Sequence, residues 1–329
     1  MKYAVLLVVS LFASGLFAAD GANFVSFYGY DDCIRLQNEK VTVTLCPTAG
    51  GRVLEYSLGE TNVLYLPPGD EGWRYDASSS SRGNMNAGRF DIGPEKMVKR
   101  GPLLWMGPWS GEIIGDRSAR LTSQVDPASG VKLVRDFKLA SDSSHLICTQ
   151  AIHCVGNEPV NLCHWSRTFA VGKGIAIVPR SPHGRFPQGY VMYSDGKNMN
   201  FDPEDANIQV TDSEVIVKAA PRFPKLGFDS MTGTLAYLAP TDQLFVKRFR
   251  TYPHRAYNEV AGLTISVWYP KDRPAVELEP IGPAEMLAPG EKASFTEEWW
   301  LLPHTFPQSG SVSMSKLRSK IEAETSPAE

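Results

Sequence analysis

The chain has 329 residues and a formal net charge of −3, with both signs intermixed along its length. That balance argues against nucleic acid and against an anionic membrane surface as partners. Five cysteines, at positions 33, 46, 148, 154 and 163, show neither CxxC nor His-x-x-x-His spacing, which speaks against a zinc site.

The N-terminus, MKYAVLLVVSLFASGLFAAD, has one lysine, an apolar run from Ala4 to Leu16 and then small residues before Asp20. It reads as a signal peptide over residues 1–19, too short in its apolar part for a comfortable membrane span. An exported protein, periplasmic or extracellular, is expected, with no membrane association after cleavage. About 310 residues then remain, enough for one large β domain or two smaller ones.

Strand signals recur about every ten residues: Cys33 to Leu36, Lys40 to Cys46, Arg52 to Leu58, Thr61 to Leu66, Glu112 to Gly115, Ala119 to Asp126, Val131 to Leu139, His145 to Val155 and Pro159 to Ala170. They are separated by turn chemistry such as AGG at 49–51 and DPASG at 126–130. The pattern continues more loosely through Gly174 to Val178, Gln188 to Tyr193, Ile208 to Ala219, Thr234 to Ala239 and Leu244 to Tyr252. This spacing suits an all-β class, a large antiparallel β-sandwich over residues 20–303. The segment 304–329 reads as a polar C-terminal tail, in which Ser313 to Glu324 could form a short helix.

Two features of this part carry specific expectations. Glu71 to Pro108 is long, polar and rich in Gly and Pro, yet contains Arg89, Asp91, Glu95 and Trp105, so it reads as a binding loop. If GNEP at 156–159 is a hairpin turn, Cys154 and Cys163 are the first candidates for a disulfide, with Cys33 and Cys46 second.

The most informative stretch is Leu263 to Pro303. It holds three strand-like runs, Leu263 to Tyr269, Ala275 to Pro280 and Lys292 to Leu302. In the middle run Val276 and Leu278 share one face, and Glu277 and Glu279 the other, about 7 Å apart. A solvated amphipathic strand would show this pattern. So would a sugar site, because Trp268, Trp299 and Trp300 lie on the flanking runs and carboxylates beside aromatics suit hydroxyl pairs and the C–H face of a pyranose.

Three segments, in this order, resemble the galactose mutarotase-like superfamily, which includes the aldose 1-epimerases. They are LQNEKVTVTLCPTAGGRVLEYSLGETNVLYL (36–66), HCVGNEPVNLCHWSRTF (153–169) and VELEPIGPAEMLAPGEKASFTEEWWL (276–301). The resemblance implies a β-supersandwich and an aldose 1-epimerase-like isomerase, with His164 as acid, Glu279 as base and Glu277 as the alternative register. Such a reaction moves a proton from the anomeric hydroxyl and one onto the ring oxygen. It requires neither metal nor organic cofactor.

The expected cleft is lined by Arg89, Asp91, Trp105, Arg167, Arg248, Arg250 and Trp268, although Trp268 also reads as core and the basic run VKRFRTYPHRAYNE (246–259) as a solvated strand end. Strand parity puts His164 with Leu162 and Ser166, and Arg167 with Trp165 on the other side. The partner is a mono- or oligosaccharide, and the protein a monomer or weak dimer. No histidine precedes His145, so the family's second histidine has no counterpart. A non-catalytic carbohydrate-binding module on the same fold is therefore the alternative. Polysaccharide cleavage is the third reading, but retaining hydrolysis needs carboxyl groups about 5 Å apart, closer than i, i+2 along one strand.

Overall fold

The computed structural model of the protein describes residues 20–79, 87–99, 101–194 and 198–325. The segment read as a signal peptide lies outside the described residues, as does part of the serine run at 78–81. Two antiparallel sheets, of 13 and 10 strands among the described residues, make up the fold. The sites discussed below lie on the first sheet's run Gly88–Gly93, Val160–Val171, Ala275–Pro280, Ile265–Trp268, Lys225–Phe228 and Val191–Tyr193, in spatial order. In the second sheet, Gln243–Phe249, Lys292–Pro303, Leu146–Cys154, Val131–Leu139, Ser118–Thr122 and Ser110–Gly115 run side by side.

Alternation along each strand sends one set of side chains between the sheets. Phe90 and Ile92, Val276 and Leu278, Leu133 and Phe137, and Phe245 and Trp299 all join the main buried core there. The same alternation sends Glu277 and Glu279 to the far side of the first sheet. That side is no solvated face, because both carboxylates are fully buried.

The interior also holds a polar knot. Lys247 Nζ lies 3.0 Å from Glu297 Oε2 and donates to Thr168 Oγ1 at 2.7 Å and Ser166 Oγ at 3.2 Å, linking the two sheets. The Trp299 indole and Gln150 amide donate to Glu297 at 2.9 Å each. A buried charge is tolerated when its partners are this complete.

On its outer side, half of the second sheet is covered by the helix Met314–Glu324. Leu317 and Ile321 pack there on Ile177, Leu238, Val246 and Trp300. Among the described residues nothing covers the strands Ser110–Gly115 to Leu146–Cys154 in this way, and their outward residues are at least partly exposed. Among the described residues no helix is long and apolar enough to cross a membrane.

The disulfide expectations are not met: all five cysteines are buried free thiols. The connection through GNEP is no hairpin, because Leu146–Cys154 belongs to the second sheet and Val160–Val171 to the first. Cys154 therefore packs between the sheets, while Cys163 sits on the outer side of the first sheet with Trp165. Cys33 and Cys46 flank the Ile34–Leu45 strand pairing and touch one another without a bond.

Candidate functional site

The register of the first sheet gathers the site. Trp165 is paired with Asp91 and Arg167 with Arg89 across one strand boundary; Phe169 is paired with Glu277 across the other. Further along, Trp268 lies opposite Glu277, Ser266 opposite Glu279, and Lys225 opposite Trp268. Directly paired residues of an antiparallel ladder project to the same face. One face thus carries Arg89, Asp91, Trp165, Arg167, Glu277, Glu279, Trp268 and Lys225, drawn from five strands.

The segment expected as a binding loop supplies a central strand instead. Arg89 and Asp91 lie in Gly88–Gly93, where Phe90 and Ile92 point into the core and the two charged side chains point outward. Beyond the strand, the short helix Pro102–Trp105 brings Trp105 beneath the Arg89 guanidinium, 5.1 Å from ring centroid to Cζ.

Arg167 is the hub. Its Nε donates to Glu277 Oε1 at 2.7 Å and its Nη2 to Glu277 Oε2 at 3.2 Å, the two-point pairing that a planar guanidinium favours. Its Nη1 reaches Glu95 at 3.3 Å and Asp91 at 3.7 Å, and its Nε lies 3.8 Å from Glu279 Oε2. Arg89 adds a second contact to Asp91 at 3.7 Å. Among the described residues no group of three or more His, Cys, Asp or Glu side chains is disposed to hold a metal ion.

Glu279 is held differently from Glu277. The Trp165 indole donates to its Oε2 at 2.7 Å, while Oε1 is buried without a hydrogen-bond partner among the described residues. Lys225 Nζ stands 5.2 Å from the Trp165 ring centroid and 5.4 Å from that of Tyr193, and pairs with Glu95 Oε2 at 3.1 Å. Glu95 is fixed in turn through its backbone N–H, which donates to the buried Glu259 at 2.8 Å. The carboxylates of Glu277 and Glu279 form a closed floor. The Lys225 and Glu95 side chains, 19% and 33% exposed, form the accessible mouth, with Trp268 half-buried beside them.

These surroundings separate the two acids. Burial pushes Glu277 upward, but the Arg167 charge and its two hydrogen bonds outweigh it and hold Glu277 below the usual carboxylate range. Glu279 is pushed up to about 8, first by burial and then by the neighbouring Glu277 charge. Burial opposes the charge of Lys225, yet Glu279 and Glu95 keep its ammonium above the ordinary value. Divergent titration of two neighbouring carboxyl groups is the pattern that assigns acid and base roles in active sites.

The arrangement of sheets is shared with solved structures. A candidate aldose 1-epimerase from Escherichia coli K12 superposes with a TM-score of 0.58 at 12% identity, covering 82% of this chain and 98% of its own. A galactose mutarotase-like protein from Lactobacillus casei ATCC 334 gives 0.57 at 9% identity, with 82% and 100% covered. A third, from Clostridium acetobutylicum, gives 0.55 at 10% identity, with 86% and 99% covered. The fold is that of the galactose mutarotase-like proteins. No protein-family model and no curated protein matches the chain.

Within this mutarotase-like fold the expected acid–base pair does not assemble. His164 occupies the even-numbered face of Val160–Val171, so it points between the sheets, away from Glu279. There it stacks between Phe90 and Phe295, with centroids 5.7 and 5.8 Å away. Its Nε2 lies 3.2 Å from the Ala293 carbonyl, so Nε2 carries the proton, and Nδ1 is buried without a hydrogen-bond partner among the described residues. Burial pulls its titration down to about 4, which keeps the ring neutral.

Arg248 and Arg250 are also elsewhere. Arg248 lies on Gln243–Phe249 in the second sheet and lines a hollow under the C-terminal helix with Met314, Arg318 and Ile321. Arg250 is exposed, its guanidinium 5.1 Å from the Tyr252 ring centroid. Both have the parity that faces away from the core, whereas Lys247 and Phe249 on either side of Arg248 face inward. The structure therefore brings together Glu277, Glu279, Arg167, Arg89, Asp91, Trp105 and Trp268, and adds Lys225, Tyr193 and Glu95.

Proposed function

We propose that the outer face of the first sheet is a carbohydrate-binding site and that the protein binds a mono- or oligosaccharide there. The observation that carries this reading is the mouth itself. A cation and a carboxylate, Lys225 and Glu95, stand paired among the rings of Trp165, Tyr193 and Trp268. A sugar presents vicinal hydroxyls that bridge such a donor–acceptor pair, and an apolar C–H face that packs on indole and phenol rings. The structural neighbours, an aldose 1-epimerase candidate and a galactose mutarotase-like protein, support a sugar as ligand.

Binding without catalysis is the conclusion the geometry supports best. Glu277 is locked to Arg167, Glu279 is shielded from solvent, and His164 faces the core. Anomer exchange remains a second reading because one observation favours it: a carboxyl titrating at about 8 exchanges protons at neutral pH.

Saturation-transfer NMR on a panel of neutral and acidic sugars separates these. Saturable binding of at least one sugar is expected, weakened roughly tenfold in Trp268→Ala, with no faster exchange of anomers. Accelerated exchange that disappears in Glu279→Gln would establish the isomerase instead. Absence of binding across the panel would end the carbohydrate reading.

A further inference from the structure

The uncovered outer face of the second sheet carries three rows of side chains set by strand register. One row, Glu112, Arg120 and Asp136, is of mixed charge and internally paired: Arg120 grips Asp136 through two bonds of 2.6 and 2.8 Å. The next row, Thr122, Val134, Ala151 and Ser294, is short and uncharged. The third row is Lys132, His153 and Lys292, each directly opposite the next. Successive rows lie about 6.7 Å apart along the strands, so the short row forms the floor of a trough between two taller walls. The trough encloses about 400 Å³.

The third row is unusual in its charge. Like charges directly opposite one another destabilise a sheet. Here two lysines flank a histidine, and neither lysine has a carboxylate within ion-pair distance among the described residues. The charges acting most on His153 are the cations Lys132, Lys292 and Arg120, while the carboxylates of Glu112 and Asp136 line the opposite wall of the trough. Burial first and then these cations depress its protonation, and an anion in the trough would reverse the second effect.

We infer that this trough binds an anionic polysaccharide, a chain of sugars bearing sulfate or carboxylate groups, laid across the strands along the Lys132–His153–Lys292 row. Neighbouring strands are about 4.8 Å apart, comparable to the length of one sugar unit, so successive cations meet successive anionic units. The short floor admits the ring edges, and Thr122, Thr149 and Ser294 supply hydroxyl partners. This site is separate from the face holding Glu277 and does not depend on its function.

The test titrates the purified protein at low salt with a sulfated glycosaminoglycan oligosaccharide, an oligogalacturonate and single-stranded DNA of equal charge. At least one of the two glycans should bind more tightly than the DNA, and the His153 ring resonance should titrate at higher pH in the complex. The double variant Lys132→Gln, Lys292→Gln should lose roughly tenfold or more in affinity and about two units of salt slope. Trp268→Ala should bind the anionic glycan as the unaltered protein does. Unchanged affinity in the double variant, DNA binding as tight as glycan binding, or no glycan binding would each overturn the proposal.

Discussion

Replacing Arg167 with leucine is expected to destabilise the protein by about 3–5 kcal/mol, the cost of removing one partner from a buried ion pair. Arg167 is the counter-charge of the fully buried Glu277 and contacts Glu95, Asp91 and Glu279 as well. Without it, Glu277 would have to ionise unpaired or take up a proton, and Asp91 would keep only Arg89 of the two arginines described above. Adding Glu277→Gln to Arg167→Leu should recover most of the loss, because the uncompensated charge disappears with it. Urea denaturation of the single and double variants measures both effects. A single variant as stable as the unaltered protein would show that the cluster is not the ion-paired floor described above.

The second large effect is a dependence on pH. Glu279 titrates at about 8 in the folded protein against 4.5 in an unperturbed chain, so between those values the folded state holds one more proton than the unfolded state. Stability from this group is complete below about pH 4.5. It then falls by about 1.4 kcal/mol per pH unit until the folded carboxyl also ionises near 8. Glu277 runs the other way: its depressed titration adds stability above the unfolded value and loses it as pH falls. Glu279→Gln keeps an acceptor for the Trp165 indole but cannot ionise. Relative to the unaltered protein it should therefore gain on the order of 4 kcal/mol between pH 5 and pH 8. Parallel stability profiles for the two proteins would contradict the assignment.

Much of this fold is legible in the chain because β periodicity is local. VELEP alternates apolar and acidic residues, and the structure sends Val276 and Leu278 into the core and both glutamates to the other face. Parity alone likewise separates Trp165 and Arg167 from His164. Which set meets the glutamates depends on pairing register between strands more than a hundred residues apart, and that is tertiary information. The resemblance of HCVGNEPVNLCHW to a histidine-bearing segment carries no such register, and the imidazole ends on the core side.

The residues that the sequence leaves hidden share a physical cause. Lys225 and Tyr193 sit on strands of four and three residues, too short to show a period, and reach the site only through neighbours in the sheet. Arg89 and Asp91 are expected at the cleft but on a loop, because the alternation of RFDIG is a strand signal masked by Gly- and Pro-rich flanks. The cysteine pairing fails for a related reason: a short turn between two strands is compatible with a hairpin and equally with a crossing between sheets.

The central claim is that a sugar occupies the face above Glu279. The most direct measurement follows the indole N–H resonance of Trp165 in a nitrogen–proton NMR spectrum during titration with whichever sugar binds. Trp165 is buried, its N–H is committed to Glu279 and its ring lies beneath Lys225, so a ligand at the mouth must disturb it. A saturable shift, with the same dissociation constant as that seen from the sugar's own signals, is the predicted result. A sugar that binds while the Trp165 indole stays unmoved would place the site elsewhere and contradict the account.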